Sequence, residues 1–423
     1  MEFDDSNHFP ESILQRLKQA HGASQALASI KGTDRSQGVL AMAEALGNAI
    51  DDILEANTLD LETSREMAVP EIIIDWLKLT PERLQRTIQI LERLAEVSDP
   101  IGQVKSARYQ LDPSQTYCQL MPLGVIALVY EAFPELGAIA AGLSLKSGNS
   151  LILRGSSDAS HSNGVIAQVL RSALDEVGLP LGSLETISSE GGSSIQDLVT
   201  QDHYLNLVIP YGRPSLIQQV TQLATAPVLR SAMGNCYLFW SSTGDLDLTR
   251  SVILDSHITE PDAVNAIEKV VITRNQKPSA LLRLFNSLKE KGFQLRGDAQ
   301  LVEDFPEQLT LANPAEWGNP YLDQVVAFKV VETLEDAIAW INQYSSGHAD
   351  CLVTESYQES RQFALEIDSA LVYINASPRF YRNPHKGESV FLGMSNQKGY
   401  RRGLIGLQTF TTLKQVVQGE GRL

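Results

Sequence analysis

The segment TEPDAVNAIEK, residues 259–269, gathers residue types that could do chemistry. Two carboxylates, Glu260 and Asp262, flank Pro261, and the amide of Asn265 follows just before an apolar run. A loop that delivers a nucleophile has this form, yet the central position is Val264, whose side chain has no lone pair to donate. The thiols lie elsewhere. Cys118, Cys236 and Cys351 are far apart and form no CxxC pair, which fits a reducing compartment. Glu260 and Asp262 could attract a cation, although solvated surface carboxylates are the simpler reading. The seven histidines have no metal-ligand spacing, so no metal is expected.

These residues need elements to position them. The first hundred residues read as helices. Val39, Met42, Leu46, Ile50 and Ile53 recur on one helical face. A second helix starts at Thr80 as cap, with Pro81 in its first turn and Glu82 beside its positive end. Residues 107–124 read as extended structure with a turn at Asp112-Pro113. Strands and helices then alternate. GVIALVY (124–130) and NSLILRG (149–155) are strands, and ELGAIAAGLSLKSG (135–148) and SNGVIAQVLRSALDEVG (162–178) are helices. LETISSE, LNLVIPYG and APVLRS are expected to continue as strands, which is the rhythm of a parallel sheet covered on both faces. From residue 251 it repeats through the strands VNAIEKVVIT, VVAFKVV, CLVTES and ALVYIN. The tail LQTFTTLKQVVQG (407–419) alternates like a strand that pairs away from the body, with a second subunit as one candidate partner.

Composition narrows the function. The chain has 423 residues, 43% of them apolar, enough for two or three domains with their own cores. A net charge of -17 argues against nucleic acid and anionic membranes, whose phosphates it repels. One basic cluster, KGYRRG (398–403), reads as a solvated loop or interface patch. The acidic start MEFDDSNHFPES has no export-signal pattern and no run of eighteen apolar residues occurs, so a cytoplasmic protein without a membrane span is expected.

Generic motifs are absent: there is no GxGxxG after a strand, no GxxxxGK[ST] and no GxSxG. Gly148, Gly155 and Gly212 do stand at strand ends, where glycine either makes a tight turn or lets a ligand reach backbone amides.

Longer stretches say more. PLGVIALVYEAFPELGAIAAGLSLKSGNSLILRGSSDASHSN (122–163), YLNLVIPYG (204–212), GNC (234–236), YLD (321–323), SGHAD (346–350), DSALVYINASPRF (368–380), SNQK (395–398) and RGLIGL (402–407) resemble the γ-glutamyl phosphate reductase family, also called glutamate-5-semialdehyde dehydrogenase. The resemblance extends over essentially the whole chain. It implies an aldehyde dehydrogenase-like fold: two Rossmann-like α/β domains and a β oligomerisation flap. The cofactor-type domain is then 1–106 with 125–250, and the catalytic-type domain 251–386. The flap is 107–124 with 400–423, and 387–399 returns to the cofactor-type domain. The resemblance also implies NADP(H) as cofactor, a homo-oligomer (dimer or tetramer), and thiolate attack on an acyl phosphate followed by hydride transfer.

The same resemblance exposes departures. Pro261 and Asn265 match the family's R-P-[small]-[small]-C-N, so Val264 stands at the nucleophile position and Asn265 beside it. Loss of a covalent nucleophile costs about a million-fold in turnover in a well-studied hydrolase. Phe133 replaces a family Arg that could hold substrate phosphate, Arg213 a Gly, and Pro320 a Glu implied to hold the nicotinamide ribose. The motifs G-[aromatic]-G-A-E and H-A-R-G-P are altered at 387–391 and 400–404. Lys146 and Arg154 remain, and with Gly212 are the candidate cofactor residues; Lys146 reads equally as a charge ending a helix. Cys236 matches a cysteine that the family carries besides its nucleophile, so packing, rather than substitution for the thiolate, is its expected role. Cys118 and Cys351 are expected to be buried in strands. The expected function is a non-catalytic family member with a binding, regulatory or scaffold role and an unidentified protein partner. The alternative is an active reductase with a rearranged site.

Overall fold

The apolar runs form parallel sheets, and their burial follows from coverage on both faces. The computed structural model describes residues 11–105, 115–189, 194–258, 263–384, 389–398 and 402–419. The turn at Asp112-Pro113, the residues Glu260, Pro261 and Asp262, and Gly387, Glu388, Tyr400 and Arg401 lie outside them. The chain forms two units. The first holds residues 1–230, 382–392 and 405–423, and the second holds 231–381 and 393–404. The boundary falls at Arg230 rather than at 250, because Cys236–Trp240 joins the larger sheet as a central strand. The returning segment 387–399 is itself divided at Leu392.

The first unit has a four-stranded parallel sheet in the order Leu184–Thr186, Ser150–Gly155, Val125–Tyr130, Leu207–Tyr211. Every residue of Val125–Tyr130 and Leu207–Tyr211 is buried. APVLRS, expected as a strand, contributes only a single bridge from Val228 to Val208. The helical run through Val39 and Ile53 is two helices, Gly32–Asn48 and Ile50–Glu66, which meet at Ala49.

Caps define several helix starts. Thr80 Oγ1 accepts from Arg83 N at 3.2 Å, with Pro81 at the first helical position. The buried Asp60 carboxylate caps Ser160–Glu176 from another helix, accepting from His161 N at 3.0 Å and from Ser162 N at 2.8 Å. Helix Leu136–Lys146 is buried all round. Gly142 makes that possible, since a Cβ there would lie 2.5 Å from Leu91 Cδ2 and 2.9 Å from Leu94 Cδ2.

A separate antiparallel ribbon belongs to the first unit. Gln115–Pro122 pairs along its whole length with Thr411–Gln418 and, at Cys118 and Gln119, with Val104–Lys105. The two long strands fall within 107–124 and 400–423, whereas Val104–Lys105 precedes the expected flap, and the tail strand pairs within its own chain. Cys118 is half-buried there, not buried as expected, whereas Cys351 is buried in a strand.

The second unit has a seven-stranded parallel sheet. Its order is Thr310–Leu311, Gln294–Gly297, Val325–Val331, Ile267–Thr273, Cys236–Trp240, Ala349–Val353, Leu371–Ile374. One face packs Leu284, Phe285 and Leu288 against Phe328, and the other packs Phe239 against Ile338 and Phe363. Among the described residues, no helix is long and apolar enough to cross a membrane.

The packing of Gly142 is testable. Gly142→Val should lower unfolding free energy by about 1–3 kcal/mol, the usual cost of overpacking a filled core. Urea unfolding measures it, and an unchanged midpoint would show that the leucines move aside freely.

Candidate functional site

The first unit carries a topological switch point. Strand Val125–Tyr130 is flanked by the next strand in sequence, Ser150–Gly155, and by the returning strand, Leu207–Tyr211. Ligands of doubly wound sheets bind outside the carboxyl ends of the strands at such a point. Here those ends deliver Glu131 and the pair Gly212–Arg213. Glu131 N donates to Tyr211 O at 3.0 Å. The Glu131 carboxylate accepts from Arg213 N at 2.8 Å and from Arg213 Nη2 at 2.7 Å. Hydrogen bonding to Glu131 raises the Arg213 pKa further above its ordinary value. Arg213 also precedes helix Pro214–Leu223, so the carboxylate lies at that helix's positive end.

The expected cofactor residues fall differently around this crevice. Gly212 has φ +147, and a Cβ there would lie 2.8 Å from Glu131 Oε2. Arg154, near the carboxyl end of Ser150–Gly155, donates from Nη1 to Gly155 O at 2.7 Å, and burial lowers its pKa. Lys146 instead turns inward. Its ammonium donates to Ser36 Oγ at 2.6 Å and to Ala95 O at 2.8 Å. That placement is structural, and of the two readings of Lys146 it matches the one that ends a helix. Burial lowers its pKa against the pull of Asp99.

Phe133 stands where the resemblance implies an Arg. It and Ala132 have φ 44 and 45, a region rare for residues other than glycine. The buried ring stacks on Trp76 at 4.7 Å and meets Tyr211 edge-on at 5.8 Å. The nearby cation, Arg83, is engaged by Glu135 at 2.7 Å. Position 133 is thus filled by an aromatic cluster, with the Arg83 guanidinium 5.9 Å from the Phe133 ring centroid.

In the second unit Val264 is fully buried and its backbone is held on both sides. Its carbonyl accepts from Gly234 N at 3.0 Å and from His348 Nε2 at 2.8 Å. A carbonyl only accepts, so Nε2 carries the imidazole proton and Nδ1 accepts from Ser346 Oγ at 2.8 Å. Cys236 Sγ lies 3.3 Å from His348 Nε2. Burial raises the Cys236 thiol pKa well above its ordinary value, and Asp350 adds to the effect. Burial also pushes His348 down to about 4. The pair therefore rests as neutral thiol and neutral imidazole. Asn265 Nδ2 donates to Pro378 O at 2.7 Å.

Pro320 lies in a loop that one buried carboxylate organises. Glu268 accepts from Tyr321 N at 2.7 Å, Leu322 N at 2.9 Å and Asn235 N at 3.0 Å. Its cationic partner is Lys269 at 3.0 Å, whose ammonium also donates to Asn319 O at 2.8 Å and lies 4.0 Å from the Tyr321 ring centroid. Sequence reasoning did not single out His348, Glu268 or Glu131. The stretch SGHAD, which carries part of the resemblance, contains His348 and was the available signal. Among the described residues, no three His, Cys, Asp or Glu side chains gather as metal ligands.

Two parallel α/β units, the first with a topological switch point, frame the class. Residues 8–258 match the aldehyde dehydrogenase family model, and the chain belongs to that family. Within it the chain belongs to the γ-glutamyl phosphate reductases. It is 58% identical to γ-glutamyl phosphate reductase 2 of Synechocystis sp., over 97% of this chain and 98% of that one. It is 37% identical to γ-glutamyl phosphate reductase of Gloeobacter violaceus, over 98% of each. The crystal structure of γ-glutamyl phosphate reductase from Thermotoga maritima superposes with a TM-score of 0.90 at 34% identity, covering 98% of this chain and 100% of that one.

Membership implies use of NAD(P). The start of helix Pro214–Leu223 and the guanidinium of Arg213 are groups that would suit a phosphate of such a cofactor, and here both are engaged by the Glu131 carboxylate, which also fills the space beside Gly212. Arg154 could add a second cation.

Two neighbouring groups should titrate in opposite senses. His348 falls from 6.5 to about 4, so its contribution to stability is lost as pH drops through that window. Asp350, raised by burial from 3.8 to about 6, has a contribution that is lost as pH rises through 6. Relative to the unmutated chain, Asp350→Asn should gain about 3 kcal/mol and His348→Gln should lose about 3 kcal/mol between pH 4 and 7. Urea unfolding at pH 4, 5.5 and 7 measures both, and parallel pH curves for the two variants would refute the assignment.

Proposed function

We propose that this chain is a γ-glutamyl phosphate reductase with a rearranged site, acting on γ-glutamyl phosphate with NADPH. The observation that carries this reading is the full-length relatedness to the Synechocystis sp. protein of that name, 58% over 97% of the chain. The cofactor supplies the hydride that takes the acyl group to the aldehyde.

The chain's own part centres on Cys236 and His348. For the thiol to become a nucleophile, His348 must take its proton on Nε2. That requires the other imidazole tautomer, with the proton on Nδ1 donated to Ser346 Oγ. Ser346 can then turn its own proton to Gly234 O or Asn235 O, at 3.1 and 3.2 Å. The exchange breaks the bond from His348 to the Val264 carbonyl, so loop movement around Val264 accompanies activation. The thiolate then attacks the acyl carbon, phosphate leaves, and a thioester remains for reduction. Val264 contributes backbone only.

A second reading is favoured by one observation. Val264 occupies the family nucleophile position and Cys236 is fully buried with a raised pKa. Under that reading the chain binds the family ligands without turnover, as a regulatory or scaffold member.

The readings separate in one set of assays: NADPH oxidation with enzymatically supplied γ-glutamyl phosphate, beside calorimetric titration of NADPH. The reductase reading expects turnover that Cys236→Ser lowers by about a thousand-fold or more, as loss of a covalent nucleophile does. Binding without turnover establishes the second reading. Val264→Cys alone should not raise the rate to that of an ordinary reductase, because Phe133 and Pro320 also replace family contacts. Full rescue by that single change would show that those replacements are immaterial.

A further inference from the structure

Helices Gly32–Asn48 and Ile50–Glu66 form one wall of a surface groove on the first unit, and helix Ser160–Glu176 forms the other. The walls are pinned at both ends. A Cβ on Gly38 would lie 2.3 Å from Leu179 Cδ1 and 3.5 Å from Leu174 Cδ2, and Asn57 Nδ2 donates to Ser162 Oγ at 3.1 Å. The walls therefore run antiparallel. Between these points the side chains are small, and the groove holds about 720 Å³. Its floor is two rows at four-residue spacing: Ala41, Ala45 and Ala49 on one wall, Val165, Val169 and Ala173 on the other. The rims repeat that spacing, with Glu44, Asn48 and Asp52 on one wall and Gln168, Ser172 and Glu176 on the other. From Val165 to Val177 the groove runs roughly 18 Å at 1.5 Å per residue.

The charge along this groove has one sign. Glu44, Asp52 and Glu176 are exposed, none has an ion-pair partner among the described residues, and no lining residue is basic. Asp52 suits the start of its own helix. Glu176 does the opposite: it ends Ser160–Glu176, where the dipole disfavours a carboxylate. Folding gains nothing from an unpaired acid there. Beside these acids, Leu40 and Val177 leave apolar surface exposed.

We propose that this groove docks an amphipathic helix of a partner protein, with a stripe of apolar side chains flanked by lysines or arginines. Parallel rows at four-residue spacing are the ridges between which a ridge of a third helix packs. An extended peptide would gain less, because both walls are helices whose backbone groups are already paired and offer it no ladder. The rim carboxylates would pair with the flanking cations, which selects the partner and speeds its encounter. A second copy of this chain is disfavoured, since its net charge is also -17. The proposal is independent of whether the chain turns over substrate.

The test uses the full-length chain and a set of 18-residue helical peptides with stripes of Ala, Val or Leu flanked by Lys, followed by fluorescence anisotropy. At least one should bind saturably. Ala45→Phe, which fills the floor, should weaken that binding more than tenfold. The double variant Glu44→Lys/Glu176→Lys should do the same and should favour the matching peptide flanked by Glu. Thermal unfolding checks that each variant folds, and where one does not, the other decides. Failure of every peptide to saturate below about 1 mM overturns the proposal, as does unchanged binding by folded Ala45→Phe. Equal binding of a scrambled peptide of the same composition, or full competition by spermine, would show a site for polycations of any shape and overturn the helix. Sedimentation gives the last arm: self-association of the unmutated chain that Ala45→Phe abolishes would assign the groove to a second copy instead.

Discussion

The Glu268 carboxylate is the constraint around which the second unit's candidate site is built. A buried carboxylate must be compensated by a cation and by hydrogen bonds, or its desolvation destabilises the fold. Here compensation comes from the adjacent Lys269 ammonium and from the backbone N–H groups of Asn235, Tyr321 and Leu322. Asn235 immediately precedes Cys236, and Tyr321 immediately follows Pro320. A single buried charge thus sets the start of the central strand and the loop beside it. Removing that carboxylate would leave Lys269 buried without its anion and release the three amides, so the geometry of Cys236 and of residues 319–322 depends on it.

The first unit treats its carboxylate differently, and burial explains why. Glu131 lies at a strand end with a half-exposed arginine as partner. Such pairs contribute little to stability, on the order of 0–1 kcal/mol, and so can be exchanged. The pair Glu268–Lys269 is fully buried and cannot be. One carboxylate therefore organises a buried framework and the other a partly exposed strand end, although both accept from a backbone amide and a cation.

Much of the fold was legible because the parallel strands are nearly continuous apolar runs. VIALVY and LVIPY could be read directly, and the Thr80–Pro81–Glu82 helix start follows from capping chemistry alone. APVLRS misled because its apolar residues are buried without extending the sheet, and make only one bridge. CYLFW was passed over as a strand, which moved the expected boundary from 230 to 250. Partners distant in sequence were not legible at all. Lys146 is held by Ser36 and Ala95, and His348 by the carbonyl of Val264, and no local pattern announces either bond. Nor did any local pattern show that Trp76 would stack on Phe133.

Val264 shows what the fold itself asks of that position. The fold uses the residue's carbonyl, which accepts from Gly234 and His348, and its buried side-chain volume. Neither requires sulfur. The valine side chain, larger than a cysteine's, fills its buried position and leaves no polar group there without a partner. The neighbouring Cys236–His348 pair is likewise neutral and buried, and is compatible with packing alone. Folding thus places no demand on the chemistry at residue 264. Whatever reaction the chain performs must be carried by groups other than that side chain, and Cys236 is the thiol closest to hand.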